Sequence, residues 1–191
     1  MNTRRLQRNL KMRKPTAKGF SLIELLIVVM IILIISAVAI PNLFRSKIAA
    51  NESSAVSSIR QINTAQGTYA SSWGSGYAPA LPNLGGTSAA CLAGATAANA
   101  CLVDDLISVP PFTKSGYTFA TGGTNLVGGI FNGYEINATA VTVQTTGVRA
   151  FCSDATGVIK FVTPGPAPIG LAAGTCGAVA TLPGTSGPVG N

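Results

Sequence analysis

Residues 20 to 40 read FSLIELLIVVMIILIISAVAI, an unbroken apolar run in which Glu24 is the single ionisable side chain. About 20 such residues span the hydrocarbon of a bilayer as a helix. Past Pro41 the pattern changes. Ala55, Ile59, Ile62, Gln66 and Tyr69 recur at alternating spacings of four and three, with Asn51, Glu52, Ser57, Arg60 and Asn63 read onto other faces. That periodicity predicts an amphipathic half of the same helix over residues 42–73, one side packed on a sheet and the other turned toward neighbouring molecules. Pro41 is expected to kink the helix between its halves, and Gly74 and Gly76 to end it.

Residues 74–115 are rich in Gly, Ala, Ser and Pro and read as a surface loop. Short alternating segments follow at 116–120, 133–138, 148–153 and 157–162, each flanked by turn residues, and predict an antiparallel sheet across residues 116–162. Asp154, within Ser153-Asp154-Ala155-Thr156-Gly157, reads as a turn former rather than a metal ligand. From 163 to 191 the chain is almost wholly Pro, Gly, Ala, Ser and Thr, and a poorly ordered surface tail interrupted by the Cys176 staple is expected there. The fold class is α+β, a long N-terminal helix on a small antiparallel sheet.

Charge changes the picture of where the chain resides. The formal net charge is +7, yet Arg4, Arg5, Arg8, Lys11, Arg13, Lys14 and Lys18 all precede residue 20, and the remaining basic residues balance the six acids. Basic residues directly before an apolar span hold the N-terminus in the cytoplasm and send the downstream chain outward. Direct, strong nucleic-acid binding by the mature chain is therefore not expected. Cys91, Cys101, Cys152 and Cys176 all lie in the outward part, where an even count fits two disulfides. Metal binding is the weaker reading, because there is no histidine and no close CxxC pair. Of the three possible connectivities the local one, Cys91 with Cys101 and Cys152 with Cys176, is preferred.

The segment before the span ends at Lys18-Gly19, and the apolar helix begins at once with Phe20, Ser21, Leu22, Ile23 and Glu24. An ordinary secretory signal has a shorter apolar core and is lost whole. The stretch KGFSLIELLIVVMIILII instead resembles the class III signal of type IV prepilins and of type II secretion pseudopilins. The resemblance covers about the first third of the chain. It implies a pilin-like fold, removal of residues 1–19 by the prepilin peptidase between Gly19 and Phe20, N-methylation of Phe20, and a filament-assembly role for Glu24. Physics also asks for such a role, since an ionisable group within a span must be paired or reach the interface. As a monomer, Glu24 would snorkel to the headgroups. In a filament it would pair with the amine of Phe20 on a neighbouring subunit. Pro15 reads as a breaker that keeps the cleavage segment irregular, and Met12 is an alternative start with a more compact leader, MRKPTAKG.

The partners so implied are other copies of the chain in a helical filament, the prepilin peptidase, a pilus assembly platform and, before assembly, the inner membrane; the mature form would be extracellular. No catalytic constellation emerges: histidine is absent, and Asp104 and Asp105, being adjacent, read as loop or cap residues rather than an acid/base pair. An enzyme and a cofactor are thus not expected. A pseudopilin, a minor pilin, a membrane-anchored binding protein and an electron-conducting filament remain as alternatives. The absence of a DPWG-like stretch, together with the cysteine-stapled C-terminal part, favours a pilin over a major pseudopilin. The Asn51 and Asn137 sequons are weak glycosylation signals.

Overall fold

The computed structural model describes residues 19–165, 170–182 and 184–189. Residues 1–18, including Pro15, Met12 and the basic leader, lie outside the described residues, as do 166–169, 183, 190 and 191. Two compact units are distinguished, one up to Pro41 and one from Asn42 onward.

Helix α1, Leu22–Trp73, runs through both stretches of pattern identified in the sequence. Pro41 lies inside it, at the boundary between the two units. The helix ends where glycine permits: the Gly74 N–H donates to the Ala70 carbonyl (3.2 Å) at φ 64°, the left-handed cap that a side chain disfavours. Two residues on, a Cβ at Gly76 would collide with the Phe131 carbonyl oxygen, so a side chain is excluded there.

The second unit places the later part of α1 against six antiparallel strands in sequential order. These are β1 Thr113–Lys114, β2 Tyr117–Val127, β3 Ile130–Ala140, β4 Ala150–Asp154, β5 Lys160–Val162 and β6 Ser186–Pro188. The hairpin β2–β3 turns at Gly128-Gly129, both at positive φ, as a tight two-residue hairpin turn requires. Alternation along the strands sends Tyr117, Phe119, Ile136, Ala138 and Phe151 into the core. There they join Ala55, Ile59, Ile62 and Tyr69 of α1, all nearly inaccessible to solvent. The α1 stripe was thus legible from spacing alone. Its continuation was not. Glu52, Asn51 and Asn63, read onto other faces, turn toward the second unit's sheet and loops. Glu52 stands three positions before Ala55 and so extends the same stripe.

Between helix and sheet, residues 74–115 do not form a bare loop. They contain α2 Leu81–Leu84, α3 Ser88–Ala93, α4 Asp105–Ser108 and strand β1. Leu81, Leu84, Val103 and Ile107 enter the core. The Asp104 side chain caps α4 by accepting from the Ile107 N–H (3.1 Å) and pairs with Lys114 Nζ (2.6 Å), the capping role expected of it. Tyr69 Oη donates to the Ala97 carbonyl (2.8 Å), tying this connection back to α1. The disulfides are Cys91–Cys101 and Cys152–Cys176, as spacing suggested.

Among its described residues, the C-terminal stretch keeps the expected Cys176 staple but is otherwise packed rather than poorly ordered. Strand β6 pairs with β5, and residues 170–177 lie over the outer face of the sheet. Leu171 rests against Gly122, Lys160 Nζ reaches the Gly177 carbonyl (2.8 Å), and Cys176 is bonded to Cys152. This cover explains why β3 is buried on both sides along Gly133–Ala138. Beneath it Glu135, 2 % exposed, accepts from the N–H groups of Gly174 (2.7 Å) and Cys176 (3.1 Å). Composition marked the segment as unable to build its own core; it uses the sheet's instead, through a disulfide and a buried carboxylate.

Four groups converge on Glu52. Oε1 accepts from the N–H groups of Val148 (2.9 Å) and Arg149 (3.1 Å), while Oε2 accepts from Arg149 Nε (2.8 Å) and Nη2 (2.7 Å). Replacing Glu52 by Ala strands two inward amides, at about 1–3 kcal/mol each when a buried donor loses its acceptor. Part of that is recovered through water, because the Arg149 side chain is 41 % exposed. The expected loss is about 2–4 kcal/mol, read as a lower urea midpoint of the full chain in detergent by Trp73 fluorescence; a change under about 0.5 kcal/mol would contradict this role.

Burial pushes the Glu135 carboxyl above the ordinary carboxylate range; the N–H groups of Cys176, Gly174 and Thr175 oppose this, and Asp154 across the pair adds to it. The sign follows from proton linkage. The folded state binds the proton more tightly, so the associated stability is fully present below the unfolded-chain value and is lost as pH rises through the folded one. The urea midpoint should therefore decline with pH across that window in the parent chain and decline less in Glu135→Gln. Parallel curves for the two proteins would refute it.

Candidate processing and assembly segment

Gly19, Phe20 and Ser21 precede the helix, and α1 begins at Leu22. The Ser21 carbonyl accepts the first helical hydrogen bond, from the Leu25 N–H (3.2 Å). Ser21 and Glu24 stand in the Ser-x-x-Glu spacing of a capping box, and Glu24 falls in the first turn, where the exposed N–H groups favour negative charge. That spacing gives the helix a local reason to start here.

Among the described residues Gly19 has open space around it: a Cβ built on its backbone meets nothing within 4 Å. The chain's own packing places no demand for glycine at this position. Phe20 is 83 % exposed, and the large apolar side chains from Leu22 through Phe44 are likewise exposed. The apolar window of α1 has none of its residues buried within the chain and is long and apolar enough to cross a membrane. Glu24 is exposed and forms no ion pair among the described residues.

The structure thus gathers Gly19, Phe20 and Glu24 within the first turn and its approach, with Pro41 at the far end of the same unit. Cys91, Cys101, Cys152 and Cys176 belong to the second unit and act as its staples. Asp154 forms the expected turn, accepting from the Thr156 N–H (2.9 Å). Among the described residues no group of three or more His, Cys, Asp or Glu side chains gathers as a metal site would require. Of the two sequon asparagines, Asn137 is buried in β3 and Asn51 donates to the Thr146 carbonyl (2.8 Å), which leaves neither free for a glycan.

Sequence reasoning missed the polar groups that join α1 to the sheet. Gln66 was assigned to the apolar stripe, and its amide holds both backbone groups of Ala78, accepting from the N–H (2.8 Å) and donating to the carbonyl (3.3 Å). Asn63 donates to Ser153 Oγ (2.9 Å) and accepts from Tyr134 Oη (3.1 Å). Burial first of all raises the Tyr134 pKa to about 12, so that hydroxyl stays protonated as a donor. The available signal was the regular appearance of Glu52 and Gln66 on the stripe, where an unpaired polar side chain would be costly.

Residues 14–40 match the family model described as the prokaryotic N-terminal methylation motif. No curated protein and no solved structure matches the chain. The motif ends within the apolar part of α1, and the long helix packed on an antiparallel sheet is a pilin-like architecture. Motif, exposed apolar helix and sheet together support a type IV pilin-like or pseudopilin precursor.

Proposed function

We propose that the mature chain is a structural subunit of a type IV pilus-like extracellular filament, not an enzyme. The observation behind this reading is the apolar half of α1, exposed on all sides from Phe20 to Phe44. Burying one such side chain is worth about 1.5–3 kcal/mol, so the segment requires an apolar environment of its own. A bilayer supplies it before assembly. In a filament, the same segments of neighbouring copies supply it to one another.

Glu24 gives this otherwise featureless packing a register. A helix apolar on every face can slide along its neighbours with little penalty, whereas a carboxylate in the first turn has one well-matched partner, the amine that cleavage after Gly19 creates on Phe20. In a dry filament core that pairing neutralises both charges. Repetition of one such contact between copies is a heterologous interface, and heterologous interfaces that do not close propagate as helical filaments. The prepilin peptidase and an assembly platform are the partners this route needs. The stapled C-terminal cover, with the Cys152–Cys176 bridge, supports a pilin over a pseudopilin.

Two outcomes are expected. Gly19→Val leaves the fold unchanged, since the position is sterically open, but blocks processing; intact-mass and N-terminal analysis should find the leader retained, and efficient removal of the leader from this variant would count against the proposed site. Glu24→Gln inserts into the membrane and is cleaved normally, yet protein sheared from the surface should contain no filaments by electron microscopy. Normal filament yield from that variant would remove the assembly role.

A further inference from the structure

A cleft of about 440 Å³ opens between the start of the amphipathic half of α1 and the chain around β4 and β5. Arg45 and Ile48 line it from the helix, Arg149 from the chain just before β4, and Phe161 and Thr163 from β5 and the residue after it. Glu52 Oε2 holds the Nε and Nη2 edge of the Arg149 guanidinium, leaving Nη1 on the other edge. The guanidinium carbon stands 5.6 Å from the Phe151 ring centroid and 5.4 Å from that of Phe161, contacts that hold the cation's plane in place. The Thr163 hydroxyl is a buried side-chain oxygen with no hydrogen-bond partner among the described residues. Glu52 also lines the cleft, but Arg149 offsets its charge, so Arg45 leaves the cleft with net positive charge.

We propose that this cleft binds the phosphate headgroup of an anionic lipid in the leaflet from which the second unit emerges. The inference rests on the membrane-inserted precursor proposed above. Arg45 directly follows the exposed apolar side chains that end at Phe44, and a basic side chain next to an apolar span reaches the headgroup layer beside it. Arginine suits a phosphate because its fork of donors matches the oxygens, and Phe161 and Ile48 offer apolar surface to the glycerol and upper acyl chain.

A carboxylate from a second copy is the competing occupant, and the chain's own acids disfavour it. Glu52 and Glu135 are buried and hydrogen-bonded, Asp104 pairs with Lys114, Asp154 closes its own turn, and Asp105 accepts from Ser88 Oγ (3.2 Å). Glu24 is committed to the Phe20 amine in the proposed assembly. Among the described residues, no acidic side chain is left without such an engagement, which favours an anion from outside the chain.

The test uses the full chain in nanodiscs of phosphatidylcholine containing a minor fraction of phosphatidylglycerol, with retained lipids counted by native mass spectrometry. Phosphatidylglycerol should be retained in preference to phosphatidylcholine. Arg45→Ala, an exposed helical position whose loss leaves the core intact, should lower that enrichment about fivefold, the effect of one basic side chain near an anionic surface; Arg45→Lys should keep part of it. Insertion without lipid preference, or an unchanged preference in Arg45→Ala, overturns the headgroup site alone. Displacement of the lipid by millimolar inorganic phosphate also overturns it, in favour of a soluble anion. So does loss of self-association in Arg45→Ala with lipid retention intact, which assigns the cleft to a second copy. A chain that fails to enter the nanodisc overturns this inference together with the membrane reading beneath it.

Discussion

One helix has to satisfy two solvents. Up to Ile40, α1 offers apolar side chains on every face; from Glu52 to Tyr69 it offers a single buried stripe. The first pattern needs hydrocarbon or other helices all round, the second a sheet on one side and water on the other. The second unit, from Asn42 onward, is organised around that stripe. Its strands present Tyr117, Phe119, Ile136 and Phe151 to it, and its connecting segment adds Leu84 and Ile107.

Apolar contact is non-directional, and a helix lying on a sheet through Ile and Ala alone could slip by a residue or rotate slightly. Polar groups set into the stripe remove that freedom. Glu52 takes two amides just before β4 and the Arg149 side chain, Asn63 reaches Ser153 and Tyr134, and Gln66 binds both backbone groups of Ala78. Each has its partner in one register only, and each would be left buried and unpaired in another. The network therefore selects among arrangements that hydrophobic burial alone would leave close in energy.

How much of this could be read from the sequence depends on whether the signal is local. The apolar run, the 3–4 spacing from Ala55 to Tyr69, the Gly74 cap and the turn at Asp154 each depend on neighbouring residues, and all appear where expected. The Gly19–Phe20–Glu24 arrangement is likewise local, so the methylation motif was visible before any coordinates. The cysteine pairing succeeded because a separation of 10 residues favours closure of the nearer pair. Failures came where the partner is distant. Glu52 and Arg149 lie 97 residues apart, Glu135 and Gly174 lie 39 apart, and no spacing rule joins them. The segment after Val162 looked disordered because Gly, Pro and Ala cannot form a core by themselves; composition could not reveal that the sheet's outer face was available to be covered.

That cover also bears on the charge of the second unit. Folding draws its acids inward or into local contacts: Glu52 under Arg149, Glu135 under the Cys176 loop, Asp104 onto Lys114, Asp154 into its turn. The cations are drawn in less completely, since a guanidinium or ammonium on a long stem can bind through one edge and still face water. A chain whose residues beyond the leader balance in charge therefore presents, near the start of its amphipathic half, a surface weighted toward Arg45 and Arg149. The distinction matters for a chain whose apolar run is long enough to cross a membrane. Net charge governs the average repulsion between copies, but local sign decides what the segment beside the apolar run meets first, and the fold has made that sign positive.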